Sequence, residues 1–126
     1  MPNTFNLNDV ISEEYRNKIA EYTNKSLWGG AVIGSVPRIH DYAIQHGCSS
    51  ILDYGSGKSD FYKEMNKLFP DHQFIINQYE PARSEFAMDP AVSDMTICVD
   101  VLEHIEPDKL DNVLDHIYNK TNKVFY

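Results

Sequence analysis

The sequence predicts an α/β protein with an open, mainly parallel sheet flanked by helices. From Ser50 onward, short apolar runs alternate with segments of helical period, an order that implies right-handed crossovers between parallel strands. The first run, Ile51-Leu52-Asp53-Tyr54, breaks into Gly55-Ser56-Gly57 ahead of helix-like sequence. Such a loop lets backbone approach a ligand, because glycine has no Cβ and tolerates positive φ. At 126 residues, with no internal repeat, low-complexity tract or second domain, the chain is one small domain with a single core.

Asn8 or Asp9 is expected to cap a first helix running to about Asn24, with Val10, Ile11, Tyr15, Ile19 and Tyr22 on its apolar face. Leu27-Trp28-Gly29-Gly30 then breaks into a loop. Ser35 is read as the cap of a second helix with Pro37 in its first turn; Val36, Ile39, Ala43 and Ile44 recur on one side until Gly47 stops it. Ser50 to Tyr54 is the first strand. Ser59 is expected to cap a third helix with Phe61, Met65, Leu68 and Phe69 on one side, ended by Pro70. His72 to Glu80 reads as the second strand. Pro81 to Ser93 has two prolines and no clean period, so it is a loop with at most a helical turn. Asp94 to Val101 is a third strand. Pro107 opens a final helix with Leu110, Val113, Leu114 and Ile117 in one buried stripe, and Lys123 to Tyr126 begins a last strand.

The formal charge of -8, from 11 Lys plus Arg against 19 Asp plus Glu spread along the chain, disfavours nucleic acid and anionic membranes as partners. The start of the chain, Met1 to Asp9, lacks a basic region and apolar core, and no segment reaches membrane-spanning length, so a cytoplasmic protein is expected. Cys48 and Cys98 have no zinc-like spacing and read as isolated thiols of a reducing compartment. The five histidines, His40, His46, His72, His104 and His116, show no pairing on one helical face, so no metal is expected. No Gly-x-Ser-x-Gly elbow or cysteine nucleophile suggests covalent hydrolysis.

Two ligand chemistries compete for the glycine loop. A phosphate-binding P-loop needs glycine, four residues, then Gly-Lys-Ser or Gly-Lys-Thr; Gly57-Lys58-Ser59 supplies the end, but Leu52 stands where the first glycine belongs. The alternative is a cofactor crevice outside the carboxyl ends of the strands, at the point where strand order reverses. Asp53, Glu80 and Asp100 each fall at or near such an end. Glu80 closes the second strand near the spacing at which a carboxylate accepts hydrogen bonds from ribose hydroxyls, the alternative being a solvated loop carboxylate.

Asp53-Tyr54-Gly55-Ser56-Gly57, followed by the run Asp94 to Ile105 with its Asp100-Val101-Leu102-Glu103-His104-Ile105, resembles class I S-adenosylmethionine-dependent methyltransferases, most closely short phage-type members. The resemblance spans roughly Trp28 to Tyr126 and implies an abbreviated, Rossmann-like methyltransferase core. It implies S-adenosylmethionine as cofactor, held by Asp53, Tyr54, Gly55, Ser56, Gly57, Glu80, Pro81, Asp100 and Val101. Asp53 then helps hold the methionine amino group, and Trp28 and Gly29 belong to a covering segment within residues 1–34. Asp100 and His104 are the catalytic candidates, with His104 as a general base or as turn structure. Arg38 meets the cofactor's carboxylate or is a solvated surface residue; Lys58 reads as a surface cation.

The sequence departs from the family in three places. Ser59 stands where many members carry a third glycine. The stretch between Glu80 and Asp94 is too short for the usual helix and strand, leaving Met88, Asp89 and Pro90 to form a reduced adenine pocket. The chain ends at Val124-Phe125-Tyr126, where the family continues with strands that shape the acceptor pocket. The expected function is methyl transfer to a small-molecule or protein acceptor, and the alternative is a catalytically silent cofactor-binding module or subunit. An unprotected edge strand is also expected to be hidden by self-association or a partner chain.

Overall fold

The structure, a computed structural model, describes residues 5–24 and 32–126. Its four strands are β1 (Ser50–Tyr54), β2 (Ile75–Tyr79), β3 (Ser93–Ile97) and β4 (Thr121–Phe125). They lie in the order β2-β1-β3-β4, and all three pairings are parallel. The fold is therefore α/β, a Rossmann-like open sheet. The helices are α1 (Leu7–Val10), α2 (Glu13–Asn24), α3 (Val36–Gln45), α4 (Asp60–Leu68) and α5 (Leu110–Asn119).

Alternation along the strands divides the core between two faces. On one face Ile51, Met95 and Ile97 meet Val36, Ile39 and Ala43 of α3 and Phe61 and Met65 of α4. On the other, Leu52, Tyr54 and Tyr79 meet Val10 and Ile11 from the amino-terminal segment and Val113 and Ile117 of α5. The central strands β1 and β3 are buried almost throughout, as expected for parallel strands covered on both sides. Each fully buried Ile, Leu or Phe contributes about 1.5–3 kcal/mol. The edge strands carry Asn77 and Gln78 on β2 and Asn122 and Lys123 on β4, polar residues that suit a half-exposed position.

Several boundaries differ from the sequence reading. The first helix is two: Asn6, not Asn8 or Asp9, caps α1 by accepting from the Asn8 amide at 3.0 Å. Ile11 is extended and ends it, and Ser12 Oγ starts α2 by accepting from the Tyr15 amide at 3.1 Å. Ser35 makes no capping bond, because a 3₁₀ turn, Ile33–Ser35, leads directly into α3. The α3 stop is as expected, with the Gly47 and Cys48 amides closing on the carbonyls of Ile44 and Ala43. Ser59 does not cap α4 either: it sits at φ 68 and its hydroxyl turns to Gln78.

β2 starts only at Ile75, since His72 is tied into a turn by its amide on the Phe69 carbonyl and its Nδ1 on the Phe74 amide. β3 stops at Ile97, short of Val101, because its partner β1 ends one residue beyond the last pair, Asp53 with Ile97. The final helix opens as a 3₁₀ turn over Pro107–Lys109, and β4 starts earlier than expected, at Thr121. Ile44, Leu68 and Leu114, expected in buried stripes, are exposed. Residues 81–92 hold only the 3₁₀ turn Ser84–Phe86, in line with the loop expected there. Cys48 and Cys98 are free thiols.

Candidate functional site

The strand order makes β1 and β3 neighbours whose onward connections diverge, α4 leading to the β2 edge and α5 to the β4 edge. A crevice outside their carboxyl ends is the consequence. Gly55 occupies its floor at φ 86, and a Cβ there would lie 2.6 Å from Val101 Cγ2, so only glycine fits. Val101 directly follows Asp100, which sits at φ 59 in the turn beyond β3.

The loop amides are already committed. Gly55 and Ser56 donate to the Tyr79 carbonyl at 2.7 and 3.1 Å, and Ser59 donates to the Ser56 carbonyl at 2.9 Å. Gly57 N–H donates to Glu80 Oε1 at 2.9 Å, and Ala82 N–H donates to Glu80 Oε2 at 3.1 Å. A P-loop needs these amides for phosphate. Here a carboxylate fills the place of the anion, which argues against phosphate binding.

Above the loop lies a cavity of about 240 Å³. Asp53, Tyr54, Gly55, Ser56, Gly57, Glu80, Pro81, Asp100, Val101 and His104, all singled out in the sequence, line it together. Trp28 and Gly29 lie outside the described residues. Met88, Asp89 and Pro90 do not line the cavity: Met88 is 77% exposed, and Asp89 is held by His116 Nε2 at 2.9 Å and Lys120 Nζ at 3.0 Å. Arg38 and Lys58 are not in the lining either.

The wall also contains Asp60 and Glu106, and among the described lining residues there is no lysine or arginine against five carboxylates. Asp53 is 6% exposed, and no described residue donates a hydrogen bond to its carboxylate. Burial, then the charges of Glu80 and Asp60, raise its pKa from the ordinary 3.8 to about 7. Glu80 is raised as well, chiefly by burial, with the Ala82 and Gly57 amides and Arg83 opposing. On the α5 side, Tyr54 Oη lies 2.8 Å from His116 Nδ1, and burial raises its pKa. Burial holds His116 low. Ser56 Oγ and Tyr79 Oη are buried without hydrogen-bond partners among the described residues.

The amino-terminal helices roof the cavity with Val10, Ile11, Tyr15 and Ile19. They are fastened there by Ser12 N–H to Glu106 Oε1 at 2.7 Å, Tyr15 Oη to the His104 carbonyl at 2.6 Å and Asn112 Nδ2 to the Asp9 carbonyl at 2.8 Å. His104 closes the 3₁₀ turn Leu102–His104, so it has a structural place as well as a side chain on the cavity wall. Asp100, Glu103 and His104 also bring ligand atoms within 4.8 Å of one another on this exposed turn.

Sequence reasoning placed a covering segment within residues 1–34 but missed Asp60, Glu106 and the roof residues Val10, Ile11, Tyr15 and Ile19. Asp60 directly follows the loop, and Glu106 directly precedes Pro107, positions that a search for acids at loop ends would find. The roof has no local signal, since it depends on the packing of distant segments.

Compared with known proteins, the chain matches no family model, no curated protein and no solved structure. Fold and site together define an α/β Rossmann-like domain with an acidic, roofed cavity at its strand-order switch point.

Proposed function

We propose that the chain binds S-adenosylmethionine in this cavity and is a methyltransferase acting on a small-molecule or protein acceptor. One observation carries the reading. Asp53 is a buried carboxylate with no donor among the described residues, facing a cavity whose described lining holds further carboxylates and no lysine or arginine. Such a site favours a ligand that brings positive charge and N–H donors. S-adenosylmethionine has both, in its ammonium and sulfonium groups, and the residues present fit it.

Asp53 would take the ammonium. Glu80 has used one acceptor direction on each oxygen and keeps others for ribose hydroxyls. The glycine loop, Pro81 and the Asp100–Val101 backbone would shape the cavity around the remaining atoms. The bound cofactor supplies an electrophilic methyl group. The chain's task is to orient an acceptor against it, from which much of the rate can come, and His104 is the candidate to hold the acceptor's proton.

Calorimetric titration tests this directly. Micromolar binding of S-adenosylmethionine and S-adenosylhomocysteine, lost in Asp53→Ala, is the expected result; no binding of either rejects the proposal.

The cavity volume favours a second reading, a cofactor-binding module without turnover. About 240 Å³ is below the usual span of small-molecule pockets, roughly 300–1,000 Å³, and leaves little room for an acceptor beside a cofactor. Tight binding with no methyl transfer across a broad acceptor screen would select it.

The acidic lining and the charge of -8 support the absence of a nucleic-acid partner. No helix among the described residues is long and apolar enough to cross a membrane, and a cytoplasmic location belongs to the same proposal. The free edge of β4, with Phe125 45% exposed, supports self-association or a partner chain.

A further inference from the structure

We infer that Arg83 is a positioning residue that, together with Glu80, holds the glycine loop in its ligand-facing shape before any ligand arrives. The inference rests on the cavity being the ligand site proposed above.

After β2 the chain folds back on itself: Glu80 N–H donates to the Phe86 carbonyl at 2.9 Å, and Arg83 N–H donates to the Glu80 carbonyl at 3.1 Å. This turn grips Gly57 from both sides. The Gly57 N–H donates to Glu80 Oε1, and the Gly57 carbonyl accepts from Arg83 Nη1, each at 2.9 Å. Arg83 Nη1 also reaches Ser59 Oγ at 3.3 Å, and that hydroxyl donates to Gln78.

The loop needs such a grip. Gly57 is at φ 53 and Ser59, a residue with a side chain, is at φ 68, a region L-residues adopt only when their surroundings impose it. Arg83 is fixed in turn: Nε and Nη2 donate to Glu85 Oε1 at 3.1 and 2.8 Å, and its guanidinium lies 4.7 Å above the Phe86 ring. A planar fork makes these contacts together, and a lysine ammonium does not. Arg83 is not part of the cavity lining, so it acts through Gly57, which is.

Amide hydrogen exchange read by NMR on the ligand-free full chain tests the inference. The amides of Gly57 and Ser59 are compared with those of Leu52 and Asp53 in β1, for the wild type, Arg83→Ala and Arg83→Lys. In Arg83→Ala the loop amides are expected to exchange about tenfold faster, the scale of one charge-assisted hydrogen bond, while the β1 amides keep their rates. Arg83→Lys should fall between. Loop rates equal to wild type overturn the inference, as does acceleration of β1 by the same factor, which would mean that Arg83 supports only the whole fold.

Titration with S-adenosylhomocysteine adds a second arm: about tenfold weaker binding by Arg83→Ala supports the inference only when the loop has loosened, and weaker binding with wild-type loop exchange overturns it. A wild type that binds no S-adenosylhomocysteine rejects the cofactor reading, and the exchange rates then decide alone whether Arg83 holds the loop.

Discussion

Burying Asp53 at the end of β1 costs the free protein stability, and the direction of its pKa shift sets the pH range. Its folded pKa is raised from the ordinary 3.8 to about 7, so between those values the native state holds a proton that the unfolded state has released. Stability therefore falls as pH rises from about 4 to 7 and levels off above, by on the order of 4 kcal/mol in total. Asp53→Asn should remove most of that slope and raise the denaturation midpoint at pH 8. A cationic ligand pulls the other way, because it needs the ionised form. Ligand uptake near pH 6 should release close to one proton, and affinity should weaken up to tenfold per pH unit below 7. Calorimetry in buffers of different ionisation enthalpy measures both effects, and an unchanged pH profile in Asp53→Asn would contradict them. Gly55 gives a purely steric counterpart. Its Cβ would meet Val101 Cγ2 at 2.6 Å at a φ of 86, so Gly55→Ala should cost about 2–4 kcal/mol in urea denaturation. Adding Val101→Ala should recover the overlap part of that cost and leave the backbone part.

At the scale of elements, the joint between α2 and the stretch before α5 is the fastening of the roof. Ser12 caps α2 with its hydroxyl and gives its own amide to Glu106. Ser12→Ala should cost about 1 kcal/mol, and Glu106→Ala about 1–2 kcal/mol by leaving a part-buried amide unpaired. Both act at one joint, so the double variant should fall short of the sum, and chemical denaturation of the four proteins checks this. The same joint shows what the sequence made legible. Ser12 before Glu13 and Glu14 is a helix start by capping and by charge at the helix amino end, yet Val10, Ile11 and Tyr15 fit one helical stripe and mask the break. The glycine loop and the acids at Asp53, Glu80 and Asp100 were readable, because each stands at or shortly after a strand end where apolar pattern gives way. Glu106 could be found as an acid at a loop end, but its bond to Ser12 could not, and Arg83 gave no signal, since the partners lie far off in sequence or in the turn of a neighbouring element. Ser59 misled for a related reason: a serine before an acidic helix start reads as a cap, and only the position of Gln78 and Arg83 shows why it is held at φ 68.

At the scale of the whole molecule, a sheet of four parallel strands has two edges open among the described residues, and they are not alike. β2 is covered at its carboxyl end by the turn that grips the glycine loop, through Glu80 N–H on the Phe86 carbonyl. β4 pairs with β3 on one side, while Phe125 is 45% exposed and Tyr118 on α5, the helix leading into β4, is 81% exposed. An edge with unpaired backbone groups and exposed aromatic side chains favours pairing with another strand. Sedimentation velocity over a hundredfold range of concentration should show reversible self-association of the wild type. Phe125→Lys, which places a charge on the edge, should leave a monomer with unchanged ligand affinity, because Phe125 is not among the residues lining the cavity. A wild type monomeric at every concentration rejects association through β4. A Phe125→Lys monomer that also loses its ligand would instead mean that the cavity depends on a second copy, and would tie the edge to the site.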